Sequence, residues 1–530
     1  MRRLALPCAA LIVTALHAQT PTFDVLLTHA RIVDGTGATW FRGDIAIQGD
    51  TIVQIAPSIN LGSNQARRTV DVGGRVVSPG FIDIHTHARR GINQVPTADN
   101  YTRQGVTTVI EGPDGSSPLP LGPFLADLAK LRISVNIGAF VGQGSVRSAV
   151  IGDVDRKATP DEIEKMKALV DTAMRDGALG LSTGLFYVPG TFTPTSEVVE
   201  LAKVAAKYGG MHESHQRDDA SKVLDSVRET IAIGEGGGLP TQISHAKVIG
   251  AANFGKSVEM LKLVDAARAR GVDVTLDQYP YTASATSVTS ALLPAWALEG
   301  TRAQQLERLK DPAQRSRIKR DSIAMIRDER GGGDPKNVQF SNCGFDPSLA
   351  GKTLADLTKL HDMEPTIENG AETVLWIAEK GGCQGIFHAM NEDDLVRILK
   401  HPATMIASDG EVTIFGRANP HPRSYGTFAR VLGRYVRDEQ VLTLEEAVRK
   451  MTSFPAARLG FTDRGVLRPG MKADIAIFDP ATVKDMATFT APHQYAEGFF
   501  MVLVNGQVIF ENGAMTAARP GQILYGRGKR

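Results

Sequence analysis

The chain has 530 residues, of which 42% are hydrophobic, a length that accommodates one large domain with additions or two domains. Its 59 lysines and arginines balance 58 aspartates and glutamates, giving a formal net charge of +1. This balance argues against a nucleic-acid track and against binding to an anionic membrane surface. Cysteines occur at positions 8, 343 and 383 without CxxC spacing, so neither a zinc knuckle nor a disulfide framework is predicted.

The first 18 residues have the pattern of a secretory signal peptide. Arg2 and Arg3 precede an apolar stretch, and small residues then lead into a polar segment. We expect cleavage after Ala18, which would place the mature protein in the periplasm or outside the cell. A buried N-terminal helix is the alternative. No later window holds the roughly 20 apolar residues that a membrane span needs, so we predict no span.

Short strands separated by Gly, Asp and Asn turns follow this segment, in FDVLLTHARIVDGTG, DIAIQGDTIVQIAP and RTVDVGGRVVSPG. A similar pattern returns near the C-terminus in RGVLRPGMKADIAIFDP and FMVLVNGQVIFENG, where VNGQ is a hairpin signal. These segments predict one small β-sandwich assembled from both ends of the chain, from residues 19–77 and 455–530.

Between these ends, residues 78–454 alternate strand-like apolar runs with helical periodicity. The predicted strands are GVTTVIEG, ISVNIGAFVG, GALGLSTGL, GGMHESH, PTQISHAKV and GVDVTLDQYPY. The predicted helices include TPDEIEKMKALVDTAMRDG, TSEVVELAKVAAKYG and SVEMLKLVDAARARG. This alternation favours a parallel (β/α)8 barrel over a doubly wound sheet. The pattern breaks over about 282–400, which we interpret as an inserted lid region before the last strand, HPATMIASDG.

Polar residues close several of these apolar runs. His85 and His87 follow the run PGFIDI one residue apart, so alternation along a strand would point both into the mouth of the barrel. His215, His245 and Asp409 also stand at the ends of apolar runs, before loop signals. Packing explains such a set poorly, because each buried polar group would need its own hydrogen-bond partner. The five residues therefore predict a metal site.

The order HxH, His, His, Asp resembles the amidohydrolase superfamily. More specific stretches are similar to the N-acyl-D-amino-acid deacylase (D-aminoacylase) family, namely QGVTTV, DGALGLSTGLFYVPG, SHQRDD, ISHAKVIG, NFGKSVE, LDQYPY, IASDG, HPRSYGTF and RPGQIL. These stretches are distributed over nearly the whole mature chain, and they occur in the same order as in that family. The resemblance implies a (β/α)8 barrel beside a small β-sandwich, one or two zinc ions, and hydrolysis of N-acyl-D-amino acids to a carboxylate and a free D-amino acid.

The resemblance also implies roles for the metal-site residues. His85 and His87 would hold one zinc together with Asp409, and His215 and His245 would hold the second position. Asp409 would also be the catalytic residue, because it would take a proton from the attacking water and pass it to the departing amine.

The sequence departs from the family at one ligand. The family completes the second metal position with a cysteine in a GNCG-like turn, but this chain reads VIEGPDGSSP there. Asp114 stands in place of the cysteine, and a carboxylate could bridge two metals. Glu111 is the competing acid, and an ordinary turn aspartate is the structural alternative for Asp114. A carboxylate in place of a thiolate would change the metal preference.

By the same resemblance, four residues would bind the substrate, a small N-acylated amino acid. Lys247 and Arg423 would hold its carboxylate, and Tyr187 and Tyr279 would donate hydrogen bonds. Each also has a structural interpretation: Lys247 could be solvated, Tyr279 could be a core residue, and Arg423 could pair with a local acid. The sequence assigns no oligomeric state.

Two rival functions remain open at this stage. The first is another activity of the same superfamily, such as a dipeptidase or a cyclic-amide or imidazolone hydrolase. A cyclic substrate without a carboxylate would not need both Lys247 and Arg423. The second is a non-catalytic, metal-dependent periplasmic binding protein, in which Asp409→Asn would leave function intact.

Overall fold

A computed structural model describes residues 23–59 and 66–529, so the signal peptide predicted over residues 1–18 lies outside the described residues. The described chain opens with five strands, β1 (Phe23–Ile32), β2 (Phe41–Gln48), β3 (Thr51–Ala56), β4 (Ala66–Asp71) and β5 (Val76–Pro79). Strand β1 pairs antiparallel with β2 and parallel with β4 and β5, and β2 pairs antiparallel with β3. This part of the chain is therefore a sheet, as predicted.

The barrel begins immediately after β5. Its strands are β6 (Phe81–Asp83), β7 (Val106–Glu111), β8 (Asn136–Ala139), β9 (Val141–Gly142), β10 (Gly180–Gly184), β11 (Met211–His215), β12 (Thr241–Ile243) and β13 (Val274–Gln278). Strands β6, β7 and β8 pair in parallel, and β9 to β13 form a second parallel series. Strands β8 and β9 are one run interrupted at Phe140, so the two series join into a single wall.

Helices alternate with these strands and cover the outside of the barrel. They are α1 (Asp99–Thr102), α2 (Leu121–Leu131), α3 (Gln143–Val150), α4 (Pro160–Asp176), α5 (Thr195–Ala206), α6 (Val223–Gly237) and α7 (Ser257–Ala269). Helix α4 shows why the periodic segments fold as predicted. Thr159 and Glu162 form a capping box at its start, Pro160 occupies its first turn, and Gly177 ends it at φ 111°.

The insertion forms a separate layer with its own core. Strands β14 (Ser284–Ser287), β15 (Val338–Asn342) and β16 (Gln384–Phe387) make an antiparallel sheet with β16 in the middle. Its helices are α8 (Val288–Leu292), α9 (Arg302–Lys310), α10 (Pro312–Asp328), α11 (Leu354–Leu360) and α12 (Ile367–Lys380). Apolar side chains from these helices and strands pack together in one cluster.

Two details of the insertion correct the sequence predictions. Cys343 and Cys383 form a disulfide between the end of β15 and the start of β16, although no disulfide framework was predicted. The spacing of two cysteines 40 residues apart does not reveal that antiparallel strands bring them together. Helix α13 (Glu392–Lys400) belongs to the barrel, because Asp394 accepts a 2.9 Å hydrogen bond from the Gly255 amide just before α7.

The last barrel strand, β17 (Thr404–Ile406), pairs in parallel with β13. Beyond it, Thr86 and Gly410 form a parallel bridge that connects this side of the wall to β6 and closes the barrel. Helices α14 (Arg423–Arg430), α15 (Leu444–Met451) and α16 (Ser453–Leu459) follow, with a π-helical stretch over Val431–Asp438. The structure thus confirms the predicted (β/α)8 barrel.

Four C-terminal strands complete the first sheet. They are β18 (Ile475–Phe478), β19 (Phe499–Val504), β20 (Gln507–Glu511) and β21 (Ala514–Met515). Strand β18 pairs with β5, so both ends of the chain form one nine-stranded sheet around a shared apolar core. Asn505 and Gly506, both at positive φ, make the predicted hairpin between β19 and β20.

The predicted boundaries between sheet and barrel, at residues 77/78 and 454/455, stay predictions. Strand β5 runs across the first of them and α16 across the second. Among the described residues, no helix combines the length and apolar character that crossing a membrane requires.

Candidate metal centre

The carboxyl ends of the barrel strands bring six predicted residues together. His85 and His87 follow β6, Asp114 follows β7, His215 ends β11, His245 follows β12 and Asp409 follows β17. Their candidate ligand atoms form two groups, in each of which all atoms lie within 4.8 Å of one another. One group contains His85, His87, Asp114 and Asp409, and the other contains Asp114, His215 and His245.

Asp114 belongs to both groups because its two oxygens face different histidines. Oδ1 lies 3.3 Å from Nε2 of His245 and 3.5 Å from Nδ1 of His215. Oδ2 lies 3.5 Å from Nε2 of His87. The competing acid, Glu111, instead accepts a 2.8 Å hydrogen bond from the Arg89 amide. Asp114, and not Glu111, therefore lies among the histidines, and its role in place of the cysteine that the resemblance implies stays a prediction.

The backbone at three of these positions adopts an unusual conformation. Asp114, His245 and Asp409 have φ values of 56°, 35° and 49°, in the left-handed region that non-glycine residues rarely occupy. Such strained positions persist where the surrounding structure enforces them, and they concentrate at functional sites. Each of the three residues directs its side chain into the same cluster.

Buried acids that the sequence analysis missed support the histidines. Glu213 Oε2 lies 3.5 Å from Nδ1 of His85, Asp277 Oδ1 accepts a 2.8 Å bond from the His245 amide, and Asp83 Oδ1 accepts a 3.0 Å bond from the Ser408 amide. Alternation could have indicated two of them, because Asp83 and Glu213 each stand two residues before a ligand histidine. Such partners orient metal ligands and fix their tautomers.

Burial shifts the pKa of four groups in and around this cluster. It raises the pKa of Asp83 to about 7 and that of Asp277 to about 6. Burial, with the neighbouring Lys247 ammonium, lowers the pKa of His245 to about 4. Burial also lowers the pKa of His215. Both histidines are therefore neutral near pH 7, the form in which imidazole binds a metal.

The cluster fits a metal such as zinc. Both ring nitrogens of His85 and Oδ1 of Asp114 are buried without a hydrogen-bond partner among the described residues. Buried polar atoms normally have partners, so Nε2 of His85 and Oδ1 of Asp114, which lie 3.4 Å apart, are explained by a cation between them. The other nitrogen of His85, Nδ1, faces Oε2 of Glu213 at 3.5 Å. Imidazole nitrogens and carboxylate oxygens are both ligands of zinc in proteins.

A cavity of about 930 Å³ opens onto the cluster. The four predicted substrate-binding residues all line it: Lys247, Arg423, Tyr187 and Tyr279. Lys247 Nζ lies 2.8 Å from Nδ1 of His245, and the Tyr187 hydroxyl lies 2.9 Å from Oγ1 of Thr286 in the insertion.

Arg423 pairs with a nearby acid, which is the structural interpretation given for this residue above. Its Nη1 lies 2.7 Å from Oδ2 of Asp409, and its guanidinium covers the ring of Tyr279 at 4.8 Å from the centroid. The Tyr279 hydroxyl faces the Met390 sulfur at 3.8 Å. The substrate-binding roles of all four residues stay predictions.

His212 faces away from the cluster, as its spacing from His215 predicts. Its two ring nitrogens lie 2.9 Å from Oγ1 of Thr183 and 2.7 Å from Oγ1 of Thr241. The cavity wall also contains Arg330, a residue of the insertion that the sequence analysis missed. Arg330 follows α10, and neither an apolar run nor the end of a strand precedes it that would have indicated a functional residue.

Comparison with known proteins places these features in a family context. The family model described as "Amidohydrolase family" matches residues 68–197 and 355–510. A D-aminoacylase from Alcaligenes xylosoxydans xylosoxydans is 34% identical over 531 residues, covering 96% of this chain and 99% of that protein.

Solved structures agree with this relationship. The N-acyl-D-glutamate deacylase of Bordetella bronchiseptica, in complex with zinc and a phosphonate inhibitor, is 34% identical with a TM-score of 0.80, covering 95% of this chain and all of that one. A D-aminoacylase structure described with a binuclear metal centre is 35% identical with a TM-score of 0.80 and the same coverage.

Proposed function

Because this chain belongs to the amidohydrolase family, we propose that it is a zinc-dependent enzyme that hydrolyses N-acyl-D-amino acids to a carboxylate and a free D-amino acid. Its full-length similarity to a D-aminoacylase and to an N-acyl-D-glutamate deacylase supports this substrate class. The observation that carries the proposal is the paired ligand cluster joined by Asp114, which opens into a cavity lined by Lys247.

The ligands divide into two positions. His85, His87 and Asp409 would hold one zinc, His215 and His245 would hold a second, and Asp114 reaches both groups. The chemistry that bound zinc supplies is a water of lowered pKa, near 7, and a polarised amide carbonyl.

Asp409 is placed for the proton transfers. Its Oδ1 lies 3.2 Å from Nε2 of His87, and its side chain lines the cavity. From this position it accepts the proton of the attacking water and returns it to the departing amine, which cannot leave as an anion near neutral pH. Lys247 supplies positive charge beside the cavity, as a substrate with a free carboxylate requires.

Enzyme assays test the proposal. The purified, zinc-loaded protein should hydrolyse N-acetyl-D-amino acids faster than the matching N-acetyl-L-amino acids, and faster than it opens the rings of hydantoin or dihydrouracil. Faster opening of the cyclic amides would favour the rival superfamily activity. Absence of turnover on every substrate, with tight zinc binding, would favour the non-catalytic binding protein.

We further propose that the protein is periplasmic or secreted. The basic, apolar and small-residue order of residues 1–18 supports export. The disulfide between Cys343 and Cys383 agrees with an oxidising compartment, since disulfides rarely persist in the cytosol. Cell fractionation with mass spectrometry of the mature N-terminus tests this: a chain that keeps Met1 in the cytosol would contradict it.

A further inference from the structure

Beside the metal-ligand cluster, two cations share one carboxylate oxygen. Asp219 follows β11, Lys247 follows β12, and Arg330 follows α10 in the insertion. Lys247 Nζ lies 3.1 Å and Arg330 Nη2 lies 2.8 Å from the same Oδ2 of Asp219. At most 5% of each side chain is exposed. The insertion thus delivers a charged group to the edge of the candidate active site.

This cluster has two cationic side chains for one acid. Two other carboxylates that line the cavity, Asp114 and Asp409, face the ligand histidines and Arg423. A buried cation without its own counter-charge is costly, and an arginine cannot lose its proton to avoid the cost. The cluster is therefore suited to receive one additional anion.

The cavity gives such an anion access to both cations. Lys247 and Arg330 line the cavity, whereas Asp219 is not among the described residues that line it. Since both cations contact a single oxygen of Asp219, they are close enough for one carboxylate in the cavity to reach both. A guanidinium beside an ammonium matches the two oxygens of a carboxylate.

The guanidinium of Arg330 is held in place before any ligand arrives. Its carbon lies 4.4 Å from the centroid of the Phe186 ring, and Nη1 donates a 3.3 Å hydrogen bond to Oγ of Ser284. The next residues fold back on α10, because the Gly331 amide donates to the Met325 carbonyl at 3.2 Å. A fixed guanidinium loses little conformational entropy when it binds an anion.

We infer that Arg330 is a further substrate-binding residue, which together with Lys247 holds the carboxylate of the N-acyl-D-amino acid. This inference rests on the proposed function. The inference gives the insertion a part in selecting the substrate. An acylated amino acid would be bound more tightly because of Arg330, whereas an acylated amine without a carboxylate would not. Arg423 is engaged with Asp409 and is a separate contributor.

The test compares a substrate that has the carboxylate with one that lacks it. kcat/KM is measured for N-acetyl-D-leucine and for N-acetyl-D-leucinamide, using the zinc-loaded wild type, Arg330→Met and Arg330→Lys. We expect Arg330→Met to lower kcat/KM for N-acetyl-D-leucine about 10- to 100-fold, the range for losing a charge-assisted contact, and to leave the value for the carboxamide nearly unchanged. Arg330→Lys should retain an intermediate value.

Competitive inhibition by D-leucine and D-leucinamide provides the same comparison where turnover of the carboxamide is too slow to measure. Zinc content and thermal unfolding are recorded for every variant. Arg320→Met, at an exposed arginine on α10, is the matched control. If Arg330→Met does not fold, the same comparison of carboxylate and carboxamide compounds with Arg330→Lys tests the inference.

Equal losses for the carboxylate and carboxamide compounds would overturn the inference, particularly with loss of zinc, because they would assign Arg330 to holding Asp219 near His215. Failure of the wild type to hydrolyse any N-acetyl-D-amino acid would instead overturn the proposed function. Selective inhibition by D-leucine that depends on Arg330 would still support an anion site there. The two failures are thus distinguishable.

Discussion

Oδ1 of Asp114 lies 3.3 Å from Nε2 of His245, so a carboxylate faces a pair of histidines at the position where the resemblance implies a cysteine. The other oxygen, Oδ2, turns toward His87. One side chain therefore contacts both halves of the site through oxygen. Oxygen is a harder ligand than sulfur, so a metal held by Asp114 with His215 and His245 would differ chemically from one at a thiolate site.

Cobalt substitution should make this difference visible. We expect the Co²⁺-loaded wild type to lack a thiolate-to-cobalt charge-transfer band in the near ultraviolet, and Asp114→Cys to gain one. Asp114→Ala should bind fewer metal ions per chain, because both groups lose a shared ligand. Absorption spectra and metal analysis of the same samples check both. An unchanged spectrum and stoichiometry in both variants would show that Asp114 is an ordinary turn residue.

Replacing Asp409, the residue proposed to transfer the protons, should strongly lower turnover without unfolding the protein. We expect Asp409→Asn to lower kcat by about 10²- to 10⁴-fold, because the amide keeps the shape of the side chain but cannot accept the proton. Asp393→Asn, at an exposed position of α13, is the control. Steady-state kinetics with circular dichroism separates a chemical defect from misfolding. Full activity of Asp409→Asn would remove this residue from the mechanism.

Removal of metal should reversibly inactivate the enzyme. Dialysis against a chelator is expected to abolish hydrolysis, and added Zn²⁺ should restore it, since the water near the site then regains its lowered pKa. Metal-free protein should also unfold at a lower temperature, because bound metal stabilises only the folded state. A chelated sample that contains no metal and hydrolyses at full speed would contradict the assigned site.

The disulfide should stabilise the insertion and the cavity wall. Cys343 and Cys383 adjoin Asn342 and Gln384, which pair across β15 and β16 and line the cavity. The double Cys→Ser variant is expected to lose about 2–4 kcal/mol of unfolding free energy, because the covalent link no longer restrains the unfolded chain.

Denaturant unfolding measures this loss, and the reduced wild type is the control, since it should match the double variant. KM should rise with both treatments. A variant as stable as the oxidised wild type would show that the link is dispensable.

His212 should make stability depend on pH. Burial lowers its pKa to about 3, whereas an unfolded histidine titrates near 6.5. Below pH 6.5 the unfolded chain binds a proton that the folded chain does not, so unfolding free energy falls as pH decreases toward 3, by at most about 1.4 kcal/mol per unit. Unfolding of metal-free protein at several pH values measures the slope.

His212→Asn should reduce this slope by the contribution of one proton. Identical slopes for the wild type and His212→Asn would contradict the low pKa assigned to the buried ring.

Periodicity predicted the features that depend on local pattern and strand ends. The barrel, the two-ended sheet and the positions of His85, His215 and Asp409 all follow from side-chain alternation and the shared edge of parallel strands. The disulfide and the position of Arg330 in the cavity wall were not predicted, because both depend on how the insertion folds. Two cysteines 40 residues apart and one arginine after a helix have no local signature of their partners.

The last residues of the chain run beside the barrel. The Leu524 amide donates a 2.7 Å hydrogen bond to the Ile137 carbonyl on β8, and β18 lies next to β5, the strand that leads into β6 and His85. The start of the barrel therefore gains its full support only when β18 and the segment around Leu524 have docked. Removal of β18 would therefore disturb the start of the barrel, because β5 would lose its neighbouring strand.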